Sequence, residues 1–246
     1  LIENRGFCQE KFDSIKVLQL LFNIDFFSIY VNINSQPSIF FLRKGVRGFI
    51  GLIRTFLAIE LPGSILKRLK EVQQELKTCQ ADVRWVDPNS IHLTLKFLGN
   101  IEEKQIESIV KTVEKSVQRT PFFSLKVLGM GGFPDGRNPR VLWIGLEESG
   151  TLLSTLQNRL EKELEKIGFK FEDRPFHPHL TLGRVKSNRG KACLVEKMGK
   201  YKEECFGEFE VKRIILFKSE LRPSGPIYTP LKEIRLGGSV EKGSGV

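Results

Sequence analysis

The chain of 246 residues is 40% apolar and 28% charged, enough to build a buried core under a water-facing surface. Its formal net charge of +10 favours a polyanionic partner, because each phosphate a basic surface neutralises releases counterions. The four cysteines (Cys8, Cys79, Cys193 and Cys205) form no Cys-x-x-Cys pair and have no zinc-like spacing beside a histidine. That excludes a zinc module and a small disulfide scaffold, and points to free thiols in a reducing, cytoplasmic setting.

Residues 1–52 differ in texture from the rest. They are rich in Phe, Ile and Asn, and residues 15–33 have a membrane-like look that Lys16, Gln19, Asn23, Asp25 and Asn32 spoil. An aspartate near the middle of a spanning helix costs about 2.5–3.5 kcal/mol on insertion scales, so no membrane span is expected. No small-residue cleavage site comes after it, which argues against a signal peptide. The chain opens on Leu1, and its two methionines are Met130 and Met198. The expectation is an N-terminal extension over 1–52 outside the working fold, with Leu52 read from an alternative start codon. An amphipathic extension that caps a sheet or touches a membrane surface is the alternative. The working domain then covers 53–236, and 237–246 is a disordered tail.

From residue 54 the pattern is regular. Residues 54–61 alternate and predict a strand. Pro62 opens a helix to about residue 78, with Ile65, Leu66, Leu69, Val72 and Leu76 on one face. Short strands are predicted at 83–86 and 91–98, across the turn Asp87-Pro88-Asn89. A helix over 102–118 carries the stripe Ile106, Ile109, Val110, Val113 and Val117. Strands at 122–128 and 141–146 flank a loop of Gly, Pro, Asn and Arg. A helix over 149–167 turns Leu153, Leu156, Leu160, Leu164 and Ile167 inward. Then come a strand at 179–185, a helix near 190–200, and strands at 209–221 and 227–234. The absence of a regular βαβ rhythm and of a Gly-rich phosphate loop indicates an α+β fold with antiparallel sheets in two related lobes.

The chain has three histidines, His92, His177 and His179, and two of them begin the same string, His-Leu-Thr-Leu, at 92–95 and 179–182. Residues two apart on a strand share a face. His92 and Thr94 therefore project together, as do His179 and Thr181, over leucines that point into the core. A single His-x-Thr on a strand is most simply a satisfied, partly buried histidine. Two copies in a chain with one other histidine point to a functional pair. The chemistry that uses such a pair is in-line displacement at phosphorus. One imidazole takes a proton from attacking water, the other gives one to the leaving oxygen, and the hydroxyls stabilise the non-bridging oxygens. Few acidic residues flank the motifs, so no two-metal site, metal or cofactor is expected.

These strings lie within longer ones: Arg-Thr-Phe-Leu-Ala-Ile-Glu-Leu-Pro at 54–62, Trp85, Ile-His-Leu-Thr-Leu-Lys-Phe-Leu-Gly at 91–99, Pro-Arg-Val-Leu-Trp at 139–143, and Arg-Pro-Phe-His-Pro-His-Leu-Thr-Leu-Gly-Arg at 174–184. From residue 53 to about 236 the chain resembles the two-histidine phosphoesterases, and among them the RNA 2′,3′-cyclic phosphodiesterases, also called 2′-5′ RNA ligase-like proteins. The resemblance implies a bilobal α+β body, with two antiparallel sheets forming a central cleft and helices outside. It implies His92 as proton donor, His179 as proton acceptor, and Thr94 and Thr181 as phosphate holders. It also implies an RNA ending in a 2′,3′-cyclic phosphate as partner, a 2′-phosphomonoester as product, and in some members weak, reversible 2′-5′ joining. The expected working form is a monomer.

Arg184 matches the arginine that ends the second family motif. Five positions past His179, it needs a bulge or a strand end to face the cleft. His177, separated from His179 by Pro178, reads as a rim residue that could touch nucleotide. Phe56 reads equally as cleft lining or core. Phe133, Arg137 and Arg140 lie on or beside the Gly-rich loop, where they could stack a base or hold phosphates. Trp85 and Trp143 read as core or strand anchors, and Lys96 shares parity with His92 and so points to the cleft rim or a solvated end. The rival readings are a nucleotide-binding module that has lost catalysis, and a two-histidine enzyme for linear 2′-5′ oligoadenylate or a small cyclic nucleotide.

Overall fold

The computed structural model describes residues 51–148, 150–223 and 225–237. The expectations for residues 1–50 and for the tail beyond 237 lie outside the described residues.

The first strand, β1 (Leu52–Glu60), has both faces covered in its middle. Leu57 and Ile59 enter the main core, while Phe56 and Ala58 join Ile215 and Phe217 in a small cluster on the opposite face. Pro62, with φ −63°, caps α1 (Gly63–Lys77), whose Ile65, Leu69, Val72 and Leu76 are buried. After β2 (Val83–Trp85) and a single 3-10 turn, β3 (His92–Glu102) runs four residues beyond its predicted end. Helix α2 (Ile106–Val117) consequently starts at the first residue of its apolar stripe, later than the predicted start at 102. A short 3-10 turn separates the two, fixed by a reciprocal pair of caps between Glu102 and Gln105.

Next come β4 (Phe123–Phe133), β5 (Val141–Glu148), α3 (Leu152–Glu165), β6 (His179–Val185) and α4 (Lys191–Lys200), then β7 (Cys205–Val211), β8 (Arg213–Arg222) and β9 (Gly225–Arg235). The predicted strand at 209–221 is thus two strands that part at Lys212. β7 ends against β4 with Val211 opposite Phe123, and β8 then pairs with β1, Phe217 opposite Phe56. The apolar alternation breaks there, with the exposed pair Lys212-Arg213 between Val211 and Ile214, and that break is the one local mark of the change of partner.

The strands follow the order β7-β4-β5-β6-β3-β1-β8-β9, with β2 beside β6. All pairings are antiparallel. They form a four-stranded half, β3-β1-β8-β9, and a five-stranded half, β7-β4-β5-β6 with β2, which pair at β3 and β6 through Leu93 opposite Leu180. The helices bury their apolar stripes in the main core: α1 packs on β7 and α4, and α2 on α3 and β9.

Cys79 and Cys193 form a disulfide between residues 114 apart in sequence, tying the end of α1 to α4. The expectation of free thiols is corrected here; nothing in the spacing marks the two as neighbours. Gly190 brings them together, because its φ of +65° and its approach to Cys79 and Ala81 leave no room for a Cβ. Cys205 remains a free, exposed thiol. A cross-link closing so long a loop restricts the unfolded chain, so Cys193→Ser should lower unfolding free energy by about 2–4 kcal/mol in denaturant titration. An unchanged midpoint would show that the bond contributes nothing.

Candidate active site

Leu93 and Leu180 each sit between the histidine and the threonine of their own motif. Opposing them antiparallel therefore sets His92 across from Thr181, and Thr94 across from His179. The two histidines become diagonal neighbours, a relation that places Cα atoms roughly 7–8 Å apart. Leu93, Leu95, Leu180 and Leu182 are buried on the helix side, while all four polar side chains are half-buried on the other. The structure thus gathers the four residues that the sequence singles out.

Both imidazoles are held in the same way. His92 Nδ1 donates to the Ser90 carbonyl at 2.8 Å, and His179 Nδ1 donates to the His177 carbonyl at 2.7 Å. A carbonyl only accepts, so Nδ1 carries hydrogen in each ring and Nε2 is left for chemistry. Their surroundings differ. His92 stacks on Phe56 at 4.8 Å and meets the edge of Tyr228 at 5.1 Å, with Phe217 behind at 6.3 Å. Burial there pushes its pKa below the ordinary value, and the bond to Ser90 offsets part of the shift. His179 meets the edge of Phe133 at 5.2 Å.

Each motif strand then bulges at the second leucine. Leu57 and Ala58 of β1 pair with Lys96 and Thr94, which leaves Leu95 without a partner. Leu142 and Trp143 of β5 pair with Gly183 and Thr181, which leaves Leu182 without one. A bulge inverts the parity of the residues after it. Lys96 is therefore turned into the protein, contrary to the parity expectation. Its ammonium lies 2.5 Å from Glu161 and donates to the Lys170 carbonyl at 2.7 Å, with side chains 4% and 3% exposed for the ion pair. Arg184 comes round to the face of His179 and Thr181, the condition its assignment needs, and is exposed there. The charges of Arg184 and Arg54 both reach Tyr228, whose phenol is pushed up by burial and pulled back by those arginines. The counterpart of Arg184 in the first motif is Phe97, 66% exposed and 6.0 Å from Phe56.

Helix side chains brace both bulges. Gln73 on α1 donates to the carbonyls of Leu182 and Val86, each at 2.9 Å. Glu161 on α3 holds Lys96 and accepts from the Glu172 backbone N–H at 3.2 Å. Gln73 and Glu161 hold matching places, one residue after Val72 and Leu160. Both are legible in principle, as polar residues at apolar spacing in the stripe.

The remaining expectations divide. Phe56 is 2% exposed, so it backs His92 and leaves no face for a substrate. His177 is exposed and contributes its carbonyl to His179. Arg140 and Arg137 are exposed at the loop between β4 and β5, where Arg140 N–H donates to the Phe133 carbonyl at 2.6 Å. Trp85 packs on the main core, as a strand anchor should. Trp143 does not: it opposes Thr181 and lies on the cleft face. Sequence reasoning missed Phe97, Phe217, Tyr228 and Arg54 as neighbours of the motifs, because their facing depends on bulges and on the split at Lys212. Among the described residues, no group of three or more His, Cys, Asp or Glu is placed to hold a metal ion.

The family model for LigT-like phosphoesterases matches this chain twice, over residues 59–143 and 144–228, with one His-Leu-Thr-Leu string in each match. The chain belongs to the LigT-like phosphoesterase family. It is 38% identical over 184 residues to the RNA 2′,3′-cyclic phosphodiesterase of Methanothermobacter thermautotrophicus, covering 75% of this chain and 99% of that protein. The enzyme of the same name from Aquifex aeolicus is 36% identical over 200 residues, covering 79% of this chain and all of the relative (100%). Among solved structures, a Thermus thermophilus protein superposes with a TM-score of 0.64 at 29% identity, covering 76% of this chain and 99% of that one. E. coli LigT complexed with 3′-AMP superposes with a TM-score of 0.61 at 27% identity, covering 76% and 99% respectively. The double match of the LigT-like model agrees with the two bulged, helix-braced halves.

The packing around His92 gives a direct test. Phe217→Ala admits water beside the imidazole and removes part of the cost of charging it. Its NMR titration midpoint should start below about 6.5 in the wild type and rise toward that value in the variant. A midpoint that the substitution leaves in place would contradict burial as the cause.

Proposed function

We propose that this protein opens 2′,3′-cyclic phosphodiester ends of RNA to 2′-phosphomonoesters, by acid–base catalysis that needs no metal. The observation that carries the reading is the pair of imidazoles on one cleft face, each with Nδ1 spent on a backbone carbonyl and Nε2 free. His179 takes the proton of the attacking water while the new P–O bond forms. His92 delivers a proton to O3′ as the P–O3′ bond breaks, leaving the phosphate on O2′. Thr94 and Thr181 donate to the non-bridging oxygens, and Arg184 adds positive charge on the same face. An imidazole whose charged form is disfavoured by burial gives up its proton readily, which suits His92 to the donor role.

Phe97 offers an exposed ring beside the His92 side of the cleft, where the base attached to the cyclic phosphate can stack. Arg140 and the exposed imidazole of His177 serve the rim. Both histidines come from one chain, so a monomer suffices; RNA ends as substrate place the work in the cytoplasm. Among the described residues no helix is long and apolar enough to cross a membrane. The working unit is 53–236, without residues 1–52. The same machinery run with a 5′-hydroxyl in place of water would join RNA through a 2′-5′ linkage.

The test is a short RNA ending in a 2′,3′-cyclic phosphate, incubated in excess EDTA. Wild type should yield the 2′-phosphate. His92→Ala and His179→Ala should each lose about 10²–10⁴-fold in kcat, and Thr181→Ala about 10²-fold. Full activity in His179→Ala, or dependence on added metal, would overturn the mechanism.

A further inference from the structure

On the His179 side the cleft floor has a form that the hydrolysis of a cyclic end does not use. Trp143, Gly145 and Glu147 succeed one another on the cleft face of β5, with Gly145 opposite His179 and Trp143 opposite both Thr181 and Gly131. The indole lies flat on the sheet. A Cβ on Gly131 would sit 2.2 Å from its ring, and one on Gly145 3.5 Å from it. Two glycines thus make the bed on which a tryptophan lies down instead of standing up. Phe133 continues the floor, 5.4 Å from the indole and 5.2 Å from the His179 ring. Above it is a hollow of about 300 Å³, bounded by Phe133, Trp143, Glu147, His177 and His179.

Resting on the function proposed above, we infer that this hollow is a subsite for the nucleoside carrying the attacking 5′-hydroxyl in 2′-5′ joining. His179 is the group that receives the nucleophile's proton, so whatever binds beside it is placed as the nucleophile or as the group bearing it. Water needs no aromatic floor; a nucleoside does, because a base gains its binding by stacking on a flat ring. The Glu147 carboxylate at the rim accepts hydrogen bonds from base N–H or ribose hydroxyl groups. With the base on Trp143, O5′ approaches phosphorus from the His179 side. The O5′–H proton passes to His179 Nε2, the P–O5′ bond forms, the P–O3′ bond breaks, and His92 protonates O3′. The product is a 2′-5′ diester with a free 3′-hydroxyl. Hydrolysis and joining then share every catalytic group and differ in the occupant of this hollow.

Two measurements test it. The chain has two tryptophans, so Trp85→Phe leaves Trp143 as the sole emitter. With the cyclic-phosphate side filled by a nucleoside 2′-phosphate, a short 5′-hydroxyl RNA should quench that emission saturably. In a reaction offering a cyclic-phosphate RNA and a 5′-hydroxyl RNA together, Trp143→Ala should lower the ratio of joined to hydrolysed product about tenfold, the effect of losing one stacked base. Trp143→Phe should restore most of it. Emission that 5′-hydroxyl RNA leaves unchanged, or a ratio that Trp143→Ala leaves unchanged, would overturn the subsite. Failure of the wild type to hydrolyse the cyclic end at all would instead remove the reading beneath it.

Discussion

The cleft depends on one antiparallel contact. Leu93 and Leu180 face each other where the two halves of the sheet touch, and β3 pairs with β6 through these two residues. Because each leucine is the middle residue of His-Leu-Thr, this contact decides that two motifs far apart in sequence share one face in opposite directions. A slip of one residue would put the two motifs on opposite faces and send one histidine toward the core, since strand faces alternate with every residue. The burial of both leucines beneath the helices is what specifies the register. The geometry of the proposed catalytic pair therefore rests on hydrophobic packing on the opposite side of the sheet.

The second constraint is the bulge at the end of each motif. Without it, the residue two past Thr94 and the residue three past Thr181 would face the wrong ways. Lys96 would enter the cleft and Arg184 would leave it. With it, Lys96 goes into a buried ion pair with Glu161, and Arg184 joins the face of His179 and Thr181. A bulge leaves a strand carbonyl off the ladder, and a buried polar group left unpaired is costly. Gln73 meets that need at Leu182, and Glu161 meets the matching need of the lysine beside Leu95. Breaking such a buried ion pair costs about 3–5 kcal/mol, so the brace is a condition of the strand's shape. Gly183 completes the asymmetry between halves: a Cβ there would strike Val83, so a lysine like Lys96 has no place in the second motif.

How far the sequence reaches is set by these local events. His92, Thr94, His179 and Thr181 are legible because a period of two is all that their shared facing requires. The helices are legible from stripes such as Leu153, Leu156, Leu160 and Leu164. Parity misplaces Lys96 and passes over Phe97, because a bulge adds a residue without leaving a signature in Leu-Thr-Leu-Lys-Phe. The split at Lys212 leaves a slight mark, the two adjacent charges Lys212 and Arg213, but nothing local says that β7 and β8 go to different halves. Trp143 reads as an anchor because the glycine it lies over, Gly131, is on the neighbouring strand β4 and is not adjacent in sequence. The disulfide between Cys79 and Cys193 is a tertiary accident of α1 meeting α4, with nothing local to announce it.

In the proposed reaction both Nε2 atoms address one phosphorus from opposite sides. A crystal structure with a uridine–vanadate mimic of the pentacoordinate transition state tests it most directly. The vanadate should sit between the motifs, with each apical oxygen about 2.6–3.2 Å from one Nε2, and Thr94 and Thr181 on the equatorial oxygens. A vanadate bound away from the Leu93–Leu180 crossing, or reached by one imidazole only, would contradict it.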